Sequence, residues 1–144
     1  MALPKLNETP KYSLTVPSTG KELRYRPYLV KEEKILLMAS SSEDPKQIMN
    51  AVHDTIAACV ENIDIRSLTT FDLEYIFIQL RSKSTGETSE ILIKCPKCES
   101  QQKVTIPLNE IAVTETKANP VIKISDNVTV VMKYPSYQDI PSDT

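Results

Sequence analysis

Polar and apolar residues alternate along several stretches of the chain, and each such stretch predicts paired β-strands. The first alternates over residues 12–16 and again after a Pro-Ser-Thr-Gly turn, which predicts a β-hairpin over residues 11–28. Later in the chain the alternation returns on both sides of the tip at 95–98 and on both sides of a polar turn at 125–127. Two further antiparallel β-hairpins are therefore predicted.

The chain between the first and second hairpins has helical periodicity instead. Strong helix formers with an apolar side begin after Leu29. Asp44 and Pro45 provide the N-cap and the first position of a second helix, expected over residues 45–60. A third helix, capped within residues 69–70, is apolar over most of its circumference. It is predicted to be the central core helix, or to face both its own core and a partner.

The order of these elements predicts an α+β fold, because strands and helices are segregated along the chain. It consists of an N-terminal β-hairpin, a three-helix segment and two antiparallel β-hairpins, the first with a Cys-x-x-Cys tip. We predict an extended N-terminal arm over 1–10, a hairpin-plus-helical domain over 11–86, a β-hairpin subdomain over 87–135, and over 136–144 the start of a truncated or flexible C-terminal segment in which a helix begins.

Composition argues against most kinds of enzyme. The 144 residues include 2 glycines, too few and too far apart for a phosphate-binding loop, and 1 histidine, which excludes multi-histidine metal sites. A net charge of −2 without a basic block gives no electrostatic footprint for nucleic acid. No apolar run approaches the length of a membrane span. The sequence therefore predicts no catalytic activity, no nucleic-acid partner and no membrane partner.

Two cysteines at the predicted hairpin tip form the sharpest local motif. Thiolates spaced as Cys95-x-x-Cys98 can supply half of a four-ligand zinc site, and the other soft candidates in the chain are Cys59 and His53. A symmetric oligomer could instead pool two such pairs around one metal. Glu99 departs from the glycine that usually follows the second cysteine, so a tight turn with reduced thiols is the alternative. No other cofactor is predicted.

The remaining polar candidates have simpler interpretations. His53 and Cys59 are the only residues that could pair as a base and a nucleophile, but a partly exposed helical histidine without a catalytic role explains His53 better. Carboxylates near helix starts, such as Glu32 and Asp72, are explained by stabilisation of the first helical turn.

Aromatic and basic side chains on the first hairpin and the third helix are candidates for protein–protein contact. The hairpin carries a basic-aromatic patch, which glutamates nearby dilute, so a solvated or protein-contacting face is favoured over nucleic-acid stacking. The third helix adds an excess of apolar surface. The candidate partner-binding residues are Tyr12, Tyr25, Arg26, Tyr28, Phe71, Tyr75 and Phe77.

Five segments carry a resemblance to a known family, and they lie at residues 2–7, 12–22, 25–34, 71–81 and 94–98. They resemble the baseplate hub subunit, or baseplate hub assembly protein, family of T-even-like contractile-tailed phages. The resemblance covers roughly residues 2–138, and it includes no catalytic signature. Relatives in that family resemble this chain up to the helix that begins at Ser136 and then continue further.

The resemblance implies a non-enzymatic structural component of a contractile-tail baseplate hub. Such a protein would contact other baseplate and tail proteins, or further copies of itself, and would be found in the virion tail baseplate and in the host cytoplasm during assembly. One alternative is a transient baseplate or tape-measure assembly chaperone that is absent from the mature virion. Another, from the cysteine motif, is a small zinc-ribbon-like adaptor.

Overall fold

A computed structural model describes residues 9–114, 119–136 and 139 of the chain. The described elements follow the predicted order of hairpin, three helices and two further hairpins, which confirms the α+β prediction. The strands are β1 (Tyr12–Thr15), β2 (Glu22–Tyr25), β3 (Thr88–Lys94), β4 (Gln101–Pro107), β5 (Val121–Ser125) and β6 (Val128–Val131), and the helices are α1 (Val30–Ser41), α2 (Pro45–Cys59) and α3 (Thr70–Ser84).

The first hairpin pairs β1 with β2 in antiparallel register, with Tyr12 opposite Tyr25. Its turn is possible because Gly20 adopts a φ of +68°, and the Gly20 N–H donates to the Val16 carbonyl at 2.8 Å. The alternation of the strands places Leu14, Val16, Leu23 and Tyr25 on the buried face. The chain leaving α2 then lies along β2, since Tyr25 and Val60 form an antiparallel bridge.

The helix caps explain where α2 and α3 begin. The Asp44 carboxylate accepts from the Lys46 N–H at 2.9 Å, and Pro45 occupies the first helical position, as the sequence predicted. Thr69 caps α3. Ile76 and Leu80 on α3 are fully buried. The helix therefore lies in the core, as both interpretations of its sequence require.

Helix α1 packs on α2 through few of its apolar side chains. Its inward side is formed mainly by Glu32, Leu36 and Ala39, whereas Leu37 and Met38 lie outward with about two-thirds of their surface exposed. The core is therefore made by the first hairpin, α2 and α3, and α1 covers it from outside with little apolar burial of its own.

The second and third hairpins carry long regular pairings but little burial. β3 pairs with β4 over seven residue pairs, from Thr88 opposite Pro107 to Lys94 opposite Gln101. The base of this hairpin is held by Leu108, which is buried and whose N–H donates to the Glu87 carbonyl at 2.7 Å. β5 pairs with β6 in the third hairpin, and every residue of these two strands is exposed.

The predicted termini lie mostly outside the described residues. Residues 1–8 of the arm are not described, and of the C-terminal segment only Ser136 and Asp139 are. The Ser136 N–H donates to the Asp139 carboxylate at 3.0 Å, a pattern that is typical of the first turn of a helix. Among the described helices, none is both long enough and apolar enough to span a membrane.

Candidate functional site

A buried carboxylate joins the first hairpin to α3. Asp72 is fully buried and accepts four hydrogen bonds. Two come from Ser18, in the hairpin turn, through its N–H at 3.0 Å and its hydroxyl at 2.5 Å. The other two come from Thr69, through its N–H at 3.2 Å and its hydroxyl at 2.6 Å. Asp72 therefore completes the capping box of α3 and also fixes the turn of a hairpin that is distant in sequence.

A second polar cluster joins β2, α1 and α2 on another side of the core. The Arg26 guanidinium donates to the Glu32 carboxylate at 3.0 Å and to the Ala58 carbonyl at 3.2 Å. Glu32 also accepts from the Leu29 N–H at 2.8 Å, which caps the start of α1. Burial raises the pKa of Glu32, but the hydrogen bonds from Arg26, Leu29 and Lys31 outweigh it, so the pKa lies below its ordinary value.

These two clusters explain carboxylates that the sequence assigned only to helix starts. Glu32 and Asp72 do stabilise first helical turns, as predicted. Each also accepts a hydrogen bond from a residue of a different element, so both stabilise the tertiary structure. Their oxygens are therefore engaged in structural contacts rather than directed into an open cavity for acid–base chemistry. The polar side chains with the most partners are thus structural.

The aromatic residues of the first hairpin contribute to the core more than the sequence suggested. Tyr25 is 3% exposed, so the structure corrects the expectation that its ring lies on a partner-binding face. The Tyr12 ring packs against it with centroids 5.7 Å apart, and the Lys83 ammonium lies 5.7 Å from the Tyr12 centroid. Tyr28 packs against the core, and Arg26 is held within the cluster with Glu32.

The aromatic candidates on α3 divide between the core and a groove. Phe77 packs against the core, whereas Phe71 and Tyr75 line a groove of about 480 Å³ beside the turn of the first hairpin. Tyr134 closes its other wall, with its ring edge-on to Phe71 at a centroid distance of 5.1 Å. Val113 also lines it. The groove is formed by apolar and hydroxyl groups, and none of the described residues that line it carries a charged side chain.

The most exposed apolar surface of the helical part lies on α1, which the sequence analysis did not select. Val30, Ile35, Leu37 and Met38 are between 50% and 79% exposed, and Ile48 and Met49 at the start of α2 are also exposed. We call these six residues the helical apolar surface. A signal was present in the sequence, because α1 is apolar over an unbroken run from residue 35 to residue 39 that a single inward face could not absorb.

The cysteine motif lies at the tip of the second hairpin, as predicted. The Cys95 N–H donates to the Ser100 carbonyl at 2.9 Å, and the Glu99 N–H donates to the Cys95 carbonyl at 3.0 Å. The Cys98 thiol lies 3.1 Å from the Ser100 hydroxyl and is exposed. Hydrogen bonds from the Ser100 side chain and backbone, and from Cys95, lower the pKa of Cys98.

The other two candidate metal ligands do not join this motif. Within the described ranges, no group of three or more His, Cys, Asp or Glu side chains is arranged to hold a metal ion. The structure thus corrects the suggestion that Cys59 or His53 completes a site with Cys95 and Cys98. Cys59 is buried, and burial raises its pKa; burial also lowers the pKa of His53, with Asp54 acting in the opposite direction. The raised pKa of Cys59 disfavours the thiolate that a nucleophile requires.

The chain matches a protein-family model over a segment that includes every described residue. A family model described as T4 bacteriophage base plate protein matches residues 9–143. No match to the chain was found among curated proteins or among solved structures. The matched segment contains the first hairpin, all three helices, the cysteine tip and the third hairpin.

Proposed function

Because the chain belongs to the T4 bacteriophage base plate protein family, we propose that it is a structural subunit of the baseplate hub of a contractile tail. Its role there is to make protein–protein contacts during baseplate assembly. The family supports a baseplate component of T4-like phages, with other baseplate proteins as its partners. Position in the hub, rather than elsewhere in the baseplate, is the finer part of the proposal.

The helical apolar surface is the observation that carries this proposal. Four large apolar side chains on α1 are at least half exposed, whereas the polar side chain of Glu32 on the same helix is buried. Exposed apolar side chains that lie together, rather than singly, are typical of protein interaction sites. In a structural role these side chains pack against a neighbouring protein. In an isolated enzyme they would stay exposed to water.

A non-catalytic role fits the polar side chains of the described residues. Asp72 and Glu32 are occupied by hydrogen bonds that hold elements together. The groove beside Phe71 is lined by apolar and hydroxyl groups and offers a place where a neighbouring chain could insert a side chain. These features support assembly by contact rather than by chemistry.

The proposal can be tested by substitutions on the exposed side of α1. The variants Leu37→Ser and Met38→Gln remove apolar area that already faces solvent, so each should change the free energy of unfolding by less than about 0.5 kcal/mol. In phage that carry either variant, we expect less of the protein in purified baseplates. The measurement is quantitative mass spectrometry of baseplates against total protein in the infected cells.

Lys34→Ser is the matched control, because Lys34 is an exposed polar residue on the same helix. It should leave incorporation unchanged. Incorporation of the Leu37 and Met38 variants at the normal level would refute α1 as the docking surface. If the unaltered chain were present in infected cells but missing from finished particles, a transient baseplate or tape-measure assembly chaperone would replace the structural role.

A further inference from the structure

The cysteine tip has a geometry that the baseplate role does not explain. β3 and β4 run in unbroken register to Lys94 opposite Gln101, and the chain then reverses through six residues. Two backbone hydrogen bonds, from Cys95 to Ser100 and from Glu99 to Cys95, close this reversal. Together they bring both cysteines to the same end of the hairpin.

The residue after the second cysteine adopts a left-handed conformation. Glu99 has a φ of 57°, in the region that glycine adopts without steric cost and that costs other residues about 1 kcal/mol. The sequence departs from a usual metal knuckle because Glu99 stands where a glycine is common. Glu99 nevertheless adopts the backbone conformation for which glycine is used. The turn therefore has the same shape with glutamate as it would have with glycine.

The two cysteines lie three positions apart in one tight reversal and are open to solvent. Cys95 is partly exposed and Cys98 is exposed. A tetrahedral zinc ion with Zn–S bonds of about 2.3 Å requires two sulfur ligands about 3.8 Å apart, and two cysteines separated by two residues in one turn have the spacing that zinc knuckles use. A metal ion could reach them directly from solvent.

The charges near the tip also suit a zinc–thiolate centre. Lys94 and Lys97 flank the first cysteine, and both are exposed. Lys94 is only loosely paired, with its ammonium 3.5 Å from the Glu99 carboxylate. Four thiolates around one Zn²⁺ leave a net charge of −2, which nearby ammonium groups offset.

We propose that Cys95 and Cys98 form a zinc-binding half-site, in which their two thiolates occupy two of the four tetrahedral positions of one Zn²⁺. The two thiols lose their protons to solvent when the ion binds, and no electron transfer is involved. Zinc rather than a harder cation is the chemical choice, because sulfur ligands select soft or borderline metals. This proposal is independent of the baseplate role.

The remaining two ligands are soft donors from outside the described part of this chain, because the described residues place no third ligand beside the pair. A second copy can supply its own Cys95 and Cys98, which gives one zinc per two chains. The three cysteines and the histidine of this sequence all lie among the described residues, so the other two ligands are assigned to a second copy. The expected stoichiometry is therefore one zinc per two chains.

The test is the metal content and mass of the reduced chain. The protein is loaded with Zn²⁺ under a reductant, freed of loose metal by gel filtration, and analysed by mass spectrometry of the metal and by light scattering. We expect one bound zinc per two chains, together with the mass of a dimer. Replacement by Co²⁺ should give the absorption bands of a tetrahedral cobalt–thiolate centre.

Cys95→Ser and Cys98→Ser should each abolish zinc binding and the cobalt–thiolate bands while leaving the helical circular dichroism unchanged, since the tip is exposed. Cys59→Ser is the matched control, because Cys59 is the third thiol and lies in the core. It should retain zinc. Absence of stoichiometric zinc from the unaltered, reduced chain would overturn the proposal, as would zinc that survives both tip substitutions.

Discussion

The buried carboxylate of Asp72 provides the strongest prediction about the fold. In the variant Asp72→Ala, four donors lose their acceptor: the N–H and hydroxyl groups of Ser18 and of Thr69. Hydrogen bonds to a charged group contribute about 1.5–3 kcal/mol each, so a simple sum would be about 6–12 kcal/mol. That sum is an upper bound, because such bonds are not additive.

Exposure of the donors reduces this figure. Ser18 is exposed, so water can replace the carboxylate at its two donors, whereas Thr69 is only partly exposed. Counting the two Thr69 donors at the lower end gives a loss of about 3 kcal/mol. Domains of this size have a free energy of unfolding of about 5–15 kcal/mol, so the variant should still fold.

The assay is urea denaturation followed by circular dichroism. With a denaturant dependence of about 2 kcal/mol per molar urea, the midpoint should fall by about 1.5 M. Glu74→Ala is the matched control, since Glu74 is an exposed acidic residue on the same helix, and its midpoint should hardly move. Ser18→Ala should destabilise the unaltered chain but not the Asp72→Ala variant, because its effect depends on that carboxylate. A midpoint for Asp72→Ala equal to that of Glu74→Ala would refute this reasoning.

Three further predictions concern single side chains. The pKa of Glu32 is lowered in the folded chain, so its contribution to stability is present above its ordinary pKa of 4.5 and is lost as the pH falls through the folded pKa. Glu32→Gln should therefore flatten this part of the acid-denaturation curve. A curve unchanged by the substitution would contradict this prediction. The Ser82 hydroxyl is buried without a hydrogen-bond partner among the described residues, so Ser82→Ala should raise the thermal midpoint or leave it unchanged, whereas a fall would show an undetected partner. In the reduced, metal-free chain, Cys98 should react with iodoacetamide in minutes and buried Cys59 only on unfolding, as peptide mass spectrometry would show; equal rates would exclude the described burial.

Local sequence signals were sufficient for the elements of this fold. Asp44 followed by Pro45, and Thr69 before an apolar helix, mark helix starts that depend only on neighbouring residues, so α2 and α3 begin where predicted. The hairpins were equally predictable, because strand alternation and turn residues act over short distances. The Cys95–Cys98 tip was found for the same reason.

Interactions between distant residues were not predictable. Nothing in the sequence near Asp72 indicates that Ser18, which lies 54 positions away, shares its carboxylate. Likewise, Tyr25 could be assigned to a buried strand face or to an aromatic patch, and only its packing against Tyr12 and the core decides between them. These choices depend on tertiary contacts, which strand alternation alone does not specify.

The orientation of α1 is the clearest case of missing information. Its apolar residues form an unbroken run rather than a periodic stripe, so the sequence does not determine which side faces inward. In the structure, Glu32 faces inward, where it accepts a hydrogen bond from Arg26. Leu37 and Met38 lie on the opposite side of the helix and therefore face solvent. A polar contact therefore sets the surface that we assign to assembly.

Quantitative mass spectrometry of purified phage particles tests the central claim most directly. Particles should be compared with isolated baseplates and with infected-cell lysate, using peptides from the matched segment 9–143. If the chain is a structural subunit of the baseplate hub, its peptides will be present in particles and enriched in baseplates, in a fixed ratio to the other baseplate proteins. Abundant peptides in the lysate together with none in particles or baseplates would contradict the account.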